Sequence, residues 1–135
     1  MKKEKLAFLY PEEEKKNEIA EELRKNYGDF SVRDCDVIVV LGGDGFMLNA
    51  LHIAEPYGKP VYGMNQGTVG FLMNEFSPNA LLERINMAEE TTIHPLQMKA
   101  KRADGSFEKA LAINEVSLLR SGPQAAKLKI SIDNK

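Results

Sequence analysis

Residues 37–51 read VIVVLGGDGFMLNAL, and their grammar is strand, turn, helix. Val37, Ile38, Val39, Val40 and Leu41 form an unbroken β-branched and apolar run, the pattern of a parallel strand covered on both faces. Gly42, Gly43 and Gly45 follow, residues that let a ligand approach the main chain. From Phe46 to Ala54 the spacing is helical, with Met47, Leu51 and Ala54 on one stripe. The first amides of such a helix point back at the turn without internal partners and form an anion site.

One carboxylate, Asp44, stands among these glycines. A helix N-terminus favours an anion by about 0.3–1 kcal/mol. Two like charges about 4 Å apart repel by about 4 kcal/mol at an effective dielectric of about 20. An ionised Asp44 beside a phosphate therefore costs more than the helix returns. A divalent cation between the two charges removes the conflict; so does an Asp44 that faces a hydroxyl and accepts its proton. Both belong to phosphoryl transfer. The plainer alternative is that Asp44 caps the helix, since Asp is a favoured N-cap residue.

Outward from this unit, strand and helix alternate. Leu6 to Tyr10 is strand-like, and Pro11 with Glu12, Glu13 and Glu14 suits the start of a helix. Ile19, Ala20, Leu23 and Tyr27 form its apolar stripe, and Gly28 can end it. Pro56 and Gly58 break the second helix, and Pro60 to Asn65 is a third short strand. Ser77 and Pro78 open a further helix with Leu81, Leu82 and Ile85 inward. This order predicts an α/β fold, a Rossmann-like parallel sheet carrying the GGDG turn.

After about Thr91 the pattern changes. Asp104-Gly105 between two runs signals a hairpin, AINEVSL reads as part of a strand, and Leu128, Ile130 and Ile132 alternate strictly. Two domains are expected: 1–92 for nucleotide or phosphate binding, and 93–135 as the start of an incomplete antiparallel β domain. A last strand without a partner invites pairing with another chain, so a homo-oligomer is expected.

Composition narrows the function. A net charge of −2 over 135 residues gives no basic field for nucleic acid. No stretch is long and apolar enough to span a bilayer, and the apolar run near the N-terminus is too short for a signal peptide. A single cysteine, Cys35, allows no intrachain disulfide and no zinc constellation. A cytoplasmic, metal-ligand-free chain is the expectation.

A second glycine cluster, GMNQGTVGFLMNEF, follows the third strand. Gly63, Gly67 and Gly70 are spaced for a loop held close to another backbone or a ligand. Asn65 can offer donor and acceptor to a purine or sugar. Phe71 can stack on a base or fill the core. Loops after neighbouring strands meet at the carboxyl edge of the sheet, where α/β proteins bind ligands. Asn114 and Glu115 sit together in an apolar pattern, so one of them faces inward unless the pair lines a site or an edge strand leaves both in water. Leu48 stands where a dinucleotide fingerprint requires its last glycine, and neither a P-loop nor a nucleophile elbow occurs. His52 and His94 form no metal motif.

Taken together, LGGDGFML, GMNQGTVGFL and INEVSL resemble the three motifs of the NAD kinase family in order and spacing across nearly the whole chain. The resemblance implies transfer of a phosphoryl group from ATP, or polyphosphate, to the 2′-hydroxyl of the adenosine ribose of NAD, with a divalent metal, usually magnesium, accompanying the donor. It implies Asp44 as the base, Gly43 and Gly45 as bare backbone at the ligand, and Phe71 against the adenine. Asn65, Asn114 and Glu115 complete the nucleotide-binding set. Family members carry a second domain about as long as this chain, with further motifs absent here, so the N-terminal part of an NAD kinase is expected. GGDG turns also occur in lipid and sugar kinases, and an inactive nucleotide-binding or oligomerisation module is the other alternative.

Overall fold

The computed structural model describes residues 2–11, 18–65, 67, 70–133 and 135. Four strands, β1 (Leu6–Leu9), β2 (Val37–Gly42), β3 (Val61–Asn65) and β4 (Asn74–Glu75), form one parallel sheet in sequential order. The helices α1 (Glu18–Tyr27), α2 (Asp44–Ala54) and α3 (Leu81–Met87) connect or follow them, and a short 3₁₀ turn, Glu55–Tyr57, ends α2. The expected first helical turn at Glu12, Glu13 and Glu14 lies outside the described residues.

The apolar run of β2 is unbroken because both faces of the sheet are covered. Val37, Val39 and Leu41 join Leu6, Phe8, Tyr62 and Met64 in one core, under Ala20 and Leu23 of α1 and Leu81 and Ile85 of α3. Ile38 and Val40 join Ala7 and Cys35 in the other, under Met47, Ala50 and Ala54 of α2. Successive strand residues face opposite ways, so one continuous run feeds both cores. Fully burying each such side chain contributes about 1.5–3 kcal/mol.

Local chemistry sets the boundaries. α1 ends at Gly28, whose φ of +76° suits glycine and whose amide donates to Arg24 O at 2.9 Å. Of the predicted α1 stripe, Ala20 and Leu23 are buried and Tyr27 packs on the core, but Ile19 is exposed, just outside the arc that α1 turns to the sheet. The Tyr27 hydroxyl donates to Pro78 O and accepts from Leu81 N, tying α1 to the start of α3. The outer edge of β1 is not bare: Phe30 N donates to Leu6 O at 2.9 Å, and Phe8 N donates to Asp29 Oδ1 at 3.4 Å. Such cover blunts an edge that would otherwise pair with another chain.

The chain divides into two compact units, Met1–His94 and Pro95–Lys135. In the second, β5 (Leu96–Lys101) and β6 (Phe107–Ala112) pair antiparallel around the Asp104-Gly105 turn, as the hairpin signal predicts. Asp104 Oδ1 accepts the amide and hydroxyl of Ser106, and Gly105 has φ +88°.

Two expectations for this unit are corrected. β6 stops at Ala112, so Asn114 and Glu115 follow the strand, and both are exposed. Neither carries a buried polar group that needs a ligand. The alternating segment through Leu128, Ile130 and Ile132 forms no strand, and all three side chains are exposed. Alternation supplies a face for pairing but no partner, and without ladder hydrogen bonds the segment is not a strand.

Candidate functional site

β2 and β3 end at the same level of the sheet, Gly42 opposite Asn65 in register. The two glycine-bearing loops therefore leave the carboxyl edge side by side. Gly42 has φ +152°, where side chains rarely fit, and turns the chain into α2. Gly43 is the N-cap residue, with no side-chain capping hydrogen bond, and Asp44 is the first residue of the helix. The helix thus begins two residues before Phe46, and Asp44 is not the N-cap.

The Asp44 carboxylate reaches out of its own helix to the second loop. Oδ2 accepts the backbone amide of Phe71 at 2.8 Å, and Oδ1 accepts that of Leu72 at 3.0 Å. Two amide donors to one ionised acceptor make a strong, directional grip. The acid is thereby fixed where the two loops meet.

The glycines of the first turn divide into two kinds. Gly42 is required by its backbone angle. At Gly43 and Gly45 a Cβ would meet nothing within 4 Å. The protein's own packing does not demand glycine at either, although glycine is a poor helix residue and Gly45 lies inside α2. Bare main chain therefore faces open space on both sides of Asp44.

In the second loop, Phe71 is fully exposed, its relative accessibility 102%, so it is no core residue. Its ring stands in solvent while its amide holds the acid. Asn65 Oδ1 accepts the amide of Gly67 at 3.0 Å and shapes the start of the loop. Gly63 lies within β3, not in the loop: its missing side chain admits Met73, whose Sδ would be 2.5 Å from a Cβ. Asn74 Nδ2 donates to Gly63 O at 3.1 Å, and β4 pairs with the end of β3. Phe71 and Leu72 thus hang from a segment anchored on the sheet.

The structure brings Gly43, Asp44, Gly45, Asn65 and Phe71 to one edge of the first unit. Asn114 and Glu115 belong to the second unit, just beyond β6. Among the described residues no group of three or more His, Cys, Asp or Glu side chains is arranged to hold a metal ion. The residue that sequence reasoning did not single out is Leu72, whose amide holds Asp44 beside that of Phe71; Gly70, visible in sequence only as a loop glycine, lies against the same carboxylate. Only the glycine spacing hinted at them.

Comparison with known proteins gives the same answer as the motifs. The sequence model described as the ATP-NAD kinase N-terminal domain matches residues 1–93. The NAD kinase of Caulobacter vibrioides is 55% identical over 97% of this chain and 50% of its own length. That of Hyphomonas neptunium is 48% identical over 97% of this chain and 51% of its own. That of Rhizobium meliloti is 52% identical over 96% and 51%. The chain spans about half the length of these curated relatives. With that domain matched over more than half of its residues, the chain belongs to the NAD kinase family.

Proposed function

We propose that this chain supplies the catalytic acid–base group and part of the nucleotide site of an NAD kinase, which transfers a phosphoryl group from ATP or polyphosphate to the 2′-hydroxyl of NAD's adenosine ribose. The observation that carries the proposal is the position of Asp44: a carboxylate held by two amides at the mouth of a glycine turn, beside bare main chain and an exposed aromatic ring. The acceptor arrives as an alcohol, and attack on phosphorus requires its proton to leave. A carboxylate fixed beside that oxygen takes the proton. Gly43 and Gly45 leave the backbone open to the ligand, Phe71 presents a face for the adenine, and Asn65 lines the same edge.

In this proposal residues 1–92 form the nucleotide-binding domain, and residues 93–135 contribute Asn114 and Glu115 to the ribose and nucleotide. No cluster of carboxylates among the described residues fits a resident metal; the magnesium implied by the family would come with the donor's phosphates. A cytoplasmic setting and self-association through the open edges of the β5–β6 hairpin belong to the same proposal.

The test is Asp44→Asn in this chain continued by the second half of the Caulobacter vibrioides relative. The change keeps the size of the side chain and removes the base, and it gives up one of the two amide hydrogen bonds, because an amide nitrogen cannot accept. Turnover should fall by roughly 10²–10⁴-fold, with NAD affinity little changed. Near-normal turnover would reduce Asp44 to a loop fastener.

A further inference from the structure

We propose that Gly70 is a positioning residue: its lack of a side chain lets the main chain of residues 70–72 close on Asp44 and fix the direction of its carboxylate. A Cβ at Gly70 would lie 2.7 Å from Asp44 Cγ and 2.8 Å from Oδ2, and nearer still to Oδ1. The three nearest atoms it would meet all belong to this one carboxylate. Real Cβ atoms do not approach so closely, so one side must give. The β4 pairing, the Asn74–Gly63 hydrogen bond and Met73 seated over Gly63 hold the loop's far end. The short Asp44 side chain, half-buried, is the part that would yield, at the cost of its two amide hydrogen bonds.

Turning it has a definite consequence. Oδ1 and Oδ2 are each committed to one amide, Leu72 N and Phe71 N. A rotation that clears a Cβ breaks both bonds and re-aims the acid. Gly70 therefore acts on the reaction through Asp44 without touching substrate. A misplacement of about 1 Å at a reacting group can cost about 10²-fold in rate. The inference rests on the general-base reading of Asp44 for its effect on turnover, but not for its effect on the carboxylate itself.

The test compares Gly70→Ala, Asp44→Ala and the double variant. In the 135-residue chain, the amide resonances of Phe71 and Leu72 report the carboxylate directly. In Gly70→Ala both should move to the positions they take in Asp44→Ala, with the rest of the spectrum unchanged, and the double variant should match Asp44→Ala. If Gly70→Ala does not fold, the double variant decides. Recovery of folding once the carboxylate is gone supports the proposal; equal loss shows that the turn itself needs glycine and overturns it.

In the chain continued by the Caulobacter vibrioides half, Gly70→Ala should lower kcat by about 10²-fold and leave KM for NAD nearly unchanged. Unmoved amide resonances overturn the proposal, and so does parental kcat in a variant whose amides have moved. Normal turnover of Asp44→Asn sinks the general-base reading alone, because the amide shifts still decide whether Gly70 sets the carboxylate.

Discussion

The backbone amide of Phe71 donates to the carboxylate of Asp44 across 2.8 Å, joining residues 27 positions apart in the chain. The ring on the same residue points into solvent. One residue thus serves two ends: its main chain holds the acid, and its side chain is free to meet a base.

That division makes Phe71→Ala informative. The substitution keeps the amide and so keeps Asp44 in place. It removes a ring that contributes nothing to the core. In the extended chain, NAD should bind more weakly by roughly 1–3 kcal/mol, the worth of an aromatic stacking platform, while the melting temperature stays at the parental value. Calorimetric titration with NAD and a thermal melt separate the two. A melting temperature that drops while affinity holds would make Phe71 a structural residue.

Gly45→Ala separates stability from function. Gly45 is helical and a Cβ there meets nothing. Replacing such a glycine should stabilise the chain by about 0.4–1 kcal/mol, by restricting the unfolded state. The same methyl group would stand beside Asp44 on the open side of the turn, so activity in the extended chain should fall. Denaturant unfolding and an NADP-formation assay check the pair of effects. A variant both more stable and fully active would show that no ligand passes Gly45.

Much of the first unit is legible in sequence because its signals are local. The β2 run, the glycines that end it and the return to helical spacing all follow from short-range pattern. β4 is not legible: Asn74 and Glu75 carry no strand pattern, and only pairing with Met64 and Asn65 makes them a strand. Leu128, Ile130 and Ile132 fail the other way, with pattern but no partner. At the site, Asp44 and Phe71 are visible as residues in two motifs, but their hydrogen bond is a tertiary fact. The role of Gly70 is hidden for the same reason, since spacing cannot say which side chain a missing Cβ makes room for. Asn114 and Glu115 look half-buried in sequence because apolar neighbours continue past Ala112, where the hairpin's hydrogen bonds have ended.

Asp36 gives the first unit an acid-sensitive fastening. Its Oδ2 accepts the amides of Glu4 at 3.0 Å and Lys5 at 2.9 Å, where the chain enters β1. These hydrogen bonds, that from Glu4 foremost, hold its carboxyl below the usual carboxylate range. A carboxyl depressed in the folded state adds stability above its unfolded pKa and loses it as pH falls through the folded value. The window therefore lies below about pH 4. Asp36→Asn should lower the melting temperature at neutral pH, and its gap from the parent should close as the pH drops through that window. Asp104, held down by the hydroxyl and then the amide of Ser106, works in the same direction, so some acid sensitivity will persist in the variant. A gap independent of pH would show that Asp36 acts by shape and not by charge.

Hydrogen exchange should read the two units apart. β2 is paired on both sides, by β1 and β3, and Val37 through Leu41 are all buried. Its amides can exchange only when the sheet opens, so they should be the slowest in the chain. Among the described residues β5 and β6 pair only with each other, and Leu96, Phe107 and Leu111 are exposed. A two-stranded hairpin is marginal in water, so its amides should exchange far faster than those of β2. Leu118, Leu119, Leu128, Ile130 and Ile132 are exposed and lie outside any strand, and the amides of this stretch should exchange fastest. The chain spans about half the length of its relatives, and cover for the exposed apolar side chains of the hairpin is expected from the other half. With that half added, protection should rise in β5 and β6 and extend into the Leu128–Ile132 segment, while β2 changes little. Protection after Lys127 that already equals β2 in the 135-residue chain would mean that these apolar side chains have found cover, and sedimentation would then have to show the second copy providing it.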